Sequence, residues 1–86
     1  MSDALVPTIA ALVARVAGPS RTPAQVSRDT HLADEYWLDS VELLEVLIAC
    51  ERTFAIAFDE QRDFATGTID TLGALADLVA RKQAGR

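Results

Sequence analysis

The run Asp39-Ser40-Val41-Glu42 is where residue types and spacing could do chemistry. Asp39 is a good N-cap, and Glu42 three residues on completes a capping box, so Ser40 becomes the first residue inside a helix. Its hydroxyl then points outward at the helix mouth, where unpaired backbone N–H groups and the positive end of the macrodipole favour a phosphate. Such a site suits a phosphodiester. A serine at a helix start is common in itself, so the weight falls on what surrounds it. Hydrolase chemistry is disfavoured: there is no Gly-x-Ser-x-Gly elbow, and the only imidazole, His31, lies in a loop with nothing to hold it against Ser40. A lone histidine makes no metal site. The single cysteine, Cys50, excludes an internal disulfide and a cysteine-cluster metal site.

The element that must position Ser40 is an apolar helix running to Phe54. With Ser40 at zero and about 100° per residue, Leu43, Val46, Leu47, Cys50 and Phe54 fall within roughly 240° to 340°, one core-facing stripe. Cys50 is therefore a small buried hydrophobe rather than a reactive thiol. Val41, Leu44 and Ile48 fall at about 100°, 40° and 80°, which makes the apolar arc around twice as wide as one buried face requires. Glu42, Glu45 and Glu51 edge this second stripe. Any one of them reads equally well as a solvated helix position. As a group beside surplus apolar surface they form a docking strip for a basic partner.

The totals restrict the alternatives. Eighty-six residues allow one small domain over 1–86 and leave no room for an enclosed catalytic cleft, so the chain is not expected to be an enzyme. Half the residues are apolar but only 6% aromatic, the balance of an aliphatic helical bundle. The net charge of −5 repels phosphate backbones and anionic lipid, so nucleic acid is not an expected partner. No apolar run reaches the roughly 18 residues of a membrane span, and the first residues do not resemble a secretory signal. The expectation is a soluble, cytoplasmic monomer without stable membrane insertion.

Along the chain, Met1 to Leu5 is expected to fray. A first helix is predicted over 6–17, with Pro7 tolerated in its first turn and Ile9, Leu12, Val13 and Val16 on one stripe; Gly18-Pro19 ends it. The connection from Ser20 to Leu38 is long enough to be internally packed, with Val26, Leu32 and Tyr36 as anchors and a helical turn near Pro23 to Ser27. Ile56 and Phe58 should be buried, and residues 59–68 read as a turn plus a short irregular helix. A final helix is predicted over 71–82, capped by Asp70 or Thr71, with Leu72, Leu75, Leu78 and Val79 on one face and Arg81 and Lys82 in its last turn. Gln83 to Arg86 should be a loose tail. These stripes fit a small antiparallel four-helix bundle, all-α, with a long first loop and a minor third helix.

Leu38-Asp39-Ser40-Val41, followed by an acidic and apolar helix ending in Glu51-Arg52-Thr53-Phe54, resembles the acyl carrier proteins, whose Asp-Ser-Leu motif opens the second helix. Asp29-Thr30-His31-Leu32 resembles the family's Asp-x-x-Leu lead-in, and Thr71-Leu72-Gly73-Ala74-Leu75 its last helix, so the likeness covers nearly the whole chain. The resemblance implies that Ser40 is esterified with 4′-phosphopantetheine derived from coenzyme A by a phosphopantetheinyl transferase. It also implies that Asp39, Val41, Glu42, Leu44, Glu45, Ile48 and Glu51 meet partner enzymes. Those would be acyl-loading, ketosynthase or acyltransferase-type enzymes with basic docking patches, in fatty acid, polyketide or specialised-metabolite biosynthesis. A discrete carrier of thioester-bound acyl intermediates is the expected function, and Leu43, Leu47, Cys50 and Phe64 are the residues expected around a folded-back acyl chain.

The chain departs from the family pattern in several places, mildly at Val41, where leucine is usual, and more clearly in three others. Many carriers have glycine where Trp37 stands, an acid is frequent at Arg52, and the segment before Thr71 is a few residues longer. A peptidyl or aminoacyl carrier is the nearest alternative, although such carriers commonly show Gly-Gly-His/Asp-Ser where this chain has Trp37-Leu38-Asp39-Ser40. An unmodified helical interaction module is the alternative from a different class.

Overall fold

The apolar stripe of the first predicted helix forms as its spacing requires: α1 spans Val6–Ala17, with Pro7 in its first turn and Ile9, Leu12, Val13 and Ala17 buried. The computed structural model describes residues 2–59, 63 and 69–85. Among these residues there are two further α-helices, α2 (Ser40–Phe54) and α3 (Leu72–Ala84), and no strand beyond an isolated antiparallel bridge between His31 and Thr71. The protein is thus all-helical, with three α-helices among the described residues. The short helix expected within 59–68, together with Phe64, lies outside them, apart from Asp59 and Asp63.

α1 packs against both α2 and α3, and the α2–α3 contact is the slightest of the three. Leu72, Leu75 and Val79 of α3 meet Ile9 and Val13 of α1 and Val46, Leu47 and Cys50 of α2 in one core. Burying each large aliphatic side chain there contributes about 1.5–3 kcal/mol. α3 starts where Thr71 caps it, its hydroxyl oxygen accepting from the Ala74 amide at 3.0 Å. It continues past Lys82 to Ala84, so Gln83 and Ala84 are helical rather than a loose tail.

From Ser2 onward the N-terminal lead is structured rather than frayed. Ser2–Leu5 forms a 3-10 turn lying against α1 and α3, and Asp3 is ion-paired with Arg28 of the long loop. The second nitrogen of the same guanidinium binds Asp77 of α3 at 2.9 Å. One arginine therefore ties three segments that are far apart in sequence.

The long loop is ordered by backbone bonds to α3. Leu32 donates its amide to the Asp70 carbonyl at 2.9 Å, Leu72 to that of Thr30 at 3.0 Å, and Gly73 to that of Arg28 at 2.7 Å. Leu32 and Tyr36 are sealed in the core as expected. Val26 is not an anchor: it is 41% exposed, and buried Thr30 pins that part of the loop by accepting the Ser27 amide at 2.9 Å. No helical turn forms over 23–27. The turn comes earlier, where the Arg21 and Thr22 amides both donate to the Gly18 carbonyl at 3.2 Å. Ile56 and Phe58 are half-buried against the core instead of enclosed by it. Asp63 is held by the Lys82 ammonium at 2.6 Å and accepts the Asp59 amide at 2.6 Å. Burial pushes this carboxyl up, but those donors outweigh burial and hold it below the usual range.

Tyr36 carries a cost. Its ring is fully buried, and its hydroxyl has no hydrogen-bond partner among the described residues. An unpaired buried hydroxyl costs about 1–3 kcal/mol. Tyr36→Phe, which keeps the ring and deletes that group, should hold or raise the urea midpoint; a clear drop would mean the hydroxyl is bonded in solution.

Candidate functional site

Ser40 is exposed at the first position of α2. The helix begins there because its cap is complete: the Asp39 carboxylate accepts the Glu42 amide at 2.8 Å, and the Glu42 carboxylate accepts the Asp39 amide at 3.2 Å. Behind Ser40 the chain is anchored by buried Leu38, whose amide donates to the Leu32 carbonyl at 3.3 Å. In front, α2 buries Val46, Leu47 and Cys50 and leaves Val41, Leu44 and Ile48 exposed, Val41 by 67%. The core leaves that second stripe uncovered.

The acidic residues beside the stripe are not equivalent. Glu45 is exposed, whereas Glu51 is half-buried and accepts the Phe58 amide at 2.9 Å, closing the end of α2. Glu42 is engaged twice over. Besides its capping bond, both its oxygens are held by Arg21, one of them at 2.8 Å, in a forked pair. Sequence reading offers no signal for Arg21, because the pair spans 21 residues and crosses from the loop to α2. The same guanidinium donates to the Ala17 carbonyl at 2.9 Å and the Trp37 carbonyl at 3.2 Å.

Trp37 is the site's conformational outlier. It sits in the left-handed region at φ 58°, with its indole 69% exposed. A residue with a Cβ pays about 1–2 kcal/mol to stay there, and glycine pays none. The glycine that the resemblance leads one to expect at this position would remove that cost. Here the strain is accepted and the large side chain is left in solvent.

The Arg21 hydrogen bond, reinforced by the Asp39 amide, holds the Glu42 carboxyl at about 2, against its ordinary 4.5. A carboxyl depressed on folding contributes stability that is full above the unfolded value and is lost as pH falls through the folded one. The melting temperature of the wild type should therefore exceed that of Glu42→Gln at neutral pH, and the gap should close between pH 4.5 and 2. Glutamine retains the capping geometry, so a gap that does not change with pH would show that the charged pair adds nothing.

A cavity of about 290 Å³ opens beside this turn, lined by Leu32, Ala33, Leu38, Leu43 and Ile69 together with His31, Asp34 and Asp70. Of the residues expected around an acyl chain, Leu43 lines this space, while Leu47 and Cys50 are sealed in the core. His31 is exposed, and its amide donates to Glu35 at 2.7 Å. Among the described residues no three His, Cys, Asp or Glu side chains gather as a metal site would require. None of the described helices is long and apolar enough to cross a membrane.

An exposed serine at a well-capped helix start suits a phosphate ester, and Arg21 cancels the Glu42 carboxylate, one of the two flanking charges that would repel one. Comparison with protein families supplies the family: residues 7–79 match the phosphopantetheine attachment site family. The chain belongs to that family. Neither the curated proteins nor the solved structures give a match. Phosphopantetheine-attachment domains carry covalent 4′-phosphopantetheine, are not themselves catalytic, and interact with phosphopantetheinyl transferases and biosynthetic enzymes. The fit is local and electrostatic: the site offers an uncovered hydroxyl and the positive end of a 15-residue helix.

Proposed function

We propose that this chain is an acyl carrier protein in which Ser40 bears the 4′-phosphopantetheine arm. The observation that carries the reading is the exposed Ser40 at the first position of α2, directly beside an apolar stripe of Val41, Leu44 and Ile48 that the core leaves open. When attached, the arm supplies a terminal thiol that holds acyl groups as thioesters. The chain's own residues do the rest. Asp39 and Glu42 fix the helix start, and Arg21 balances the Glu42 charge beside the ester.

Docking falls to the outward face of α2. Val41, Leu44 and Ile48 supply apolar contact, while exposed Glu45 and Asp39 steer a basic enzyme patch by opposite charge. Glu51 lies at the edge of this face with its carboxylate already bonded, so it acts through the field more than by direct contact, while the Glu42 charge, paired with Arg21, adds little. A long tether raises the effective concentration of cargo at each docked enzyme. Fatty acid, polyketide and specialised-metabolite synthesis all use that logic, and Trp37 and Arg52 favour a specialised pathway over a housekeeping one.

The test is to incubate the folded chain with coenzyme A and a broad-specificity phosphopantetheinyl transferase and measure its intact mass. One arm per chain is the expected result. A folded chain that stays bare overturns the reading and leaves an unmodified interaction module.

A further inference from the structure

Three segments meet at one guanidinium beside the attachment turn. Arg21 holds the last carbonyl of α1 through Ala17, the carbonyl of strained Trp37, and both carboxylate oxygens of Glu42 in the first turn of α2. Two of those ties flank Ser40, three residues before it and two after. No other hydrogen bond to the Trp37 carbonyl is seen among the described residues, and Trp37 is a position whose backbone does not favour the conformation it adopts. A planar five-donor fork reaches all these acceptors at once; an ammonium does not.

We propose that Arg21 is a positioning residue for Ser40: it pins Trp37 in its left-handed conformation and so sets the geometry in which a modifying enzyme meets the hydroxyl. The role rests on the carrier reading, because the reaction it serves is arm transfer to Ser40. In that transfer the serine oxygen forms a bond to the phosphorus bearing the pantetheine of coenzyme A. The bond from that phosphorus to the nucleotide half breaks, and the serine proton passes to a base of the transferase.

The distinguishing test is a double-mutant cycle between Arg21→Ala and Trp37→Gly, since glycine adopts the left-handed conformation without help. Steady-state modification by the transferase with coenzyme A is measured at a temperature where circular dichroism shows every variant folded. Arg21→Ala should lower kcat/KM at least fivefold in the Trp37 chain and less than twofold in the Trp37→Gly background. Arg21→Lys should behave like the alanine variant. The chain has one tryptophan, so its fluorescence anisotropy should fall when Arg21 is removed. An equal loss in both backgrounds, or no loss in either, overturns the proposal. If the wild type takes no arm, the carrier reading fails, and anisotropy alone decides: an unchanged value refutes the hold on Trp37, and a fall supports it.

Discussion

Ser40→Ala should fold as the wild type does and accept no phosphopantetheine at all. The hydroxyl is exposed at the first helical position, the capping bonds belong to Asp39 and Glu42, and alanine is the best helix former, so stability should move by no more than about 0.5 kcal/mol. The chemical effect is all or none, because the nucleophilic oxygen is gone. Thiol titration gives a second reading of the same event. Cys50 is fully buried, and burial, with a smaller contribution from Glu51, pushes its thiol up to about 12, so the unmodified folded chain should show no fast-reacting thiol. Wild type treated with coenzyme A and transferase should gain one, and Ser40→Ala should stay at zero. Retention of the arm by the variant would move the attachment site to Ser2, Ser20 or Ser27.

The part of this site that sequence makes legible is the part held together locally. Asp39 and Glu42 are three residues apart and bond each other's backbones, so the start of α2 could be placed to the residue. The same holds for the surplus arc of α2: Val41, Leu44 and Ile48 point away from the stripe that must face the core, and they are the residues left uncovered. The end of α1 at Ala17 is announced by Gly18-Pro19. What stays hidden are ties whose partners are distant in sequence. Nothing near Arg21 indicates that its fork reaches Glu42 and Trp37, or near Arg28 that it binds both Asp3 and Asp77. Those two arginines turn a lead expected to fray into a packed turn and a loop into a brace. The anchor expected at Val26 fails as well, because an apolar residue in a loop without periodicity has no helix face to dictate where it points.

Gly73→Ala should lower stability even though alanine is the better helix former. Gly73 is the second residue of α3, and its need for glycine comes from a close approach rather than from its backbone angles. A Cβ there would stand 2.8 Å from both the Cβ and the carbonyl oxygen of Arg28, and 2.9 Å from its Nε. Two of those atoms belong to or adjoin the main chain, so they yield only if the loop moves. That movement would stretch the 2.7 Å bond from the Gly73 amide to the Arg28 carbonyl and disturb the neighbouring bond from Leu72 to Thr30. Overpacking of this kind costs about 1–3 kcal/mol, against at most about 1 kcal/mol gained in helix propensity. A net loss of about 1–2 kcal/mol is expected, and with about 4–8 °C per kcal/mol for a domain of this size the melting temperature should fall by roughly 4–16 °C. Gly85→Ala is the internal control, since its added Cβ would meet nothing closer than 3.5 Å and should leave the melting temperature nearly unchanged. A rise for Gly73→Ala would mean that the loop gives way freely and that the Arg28 brace is slack.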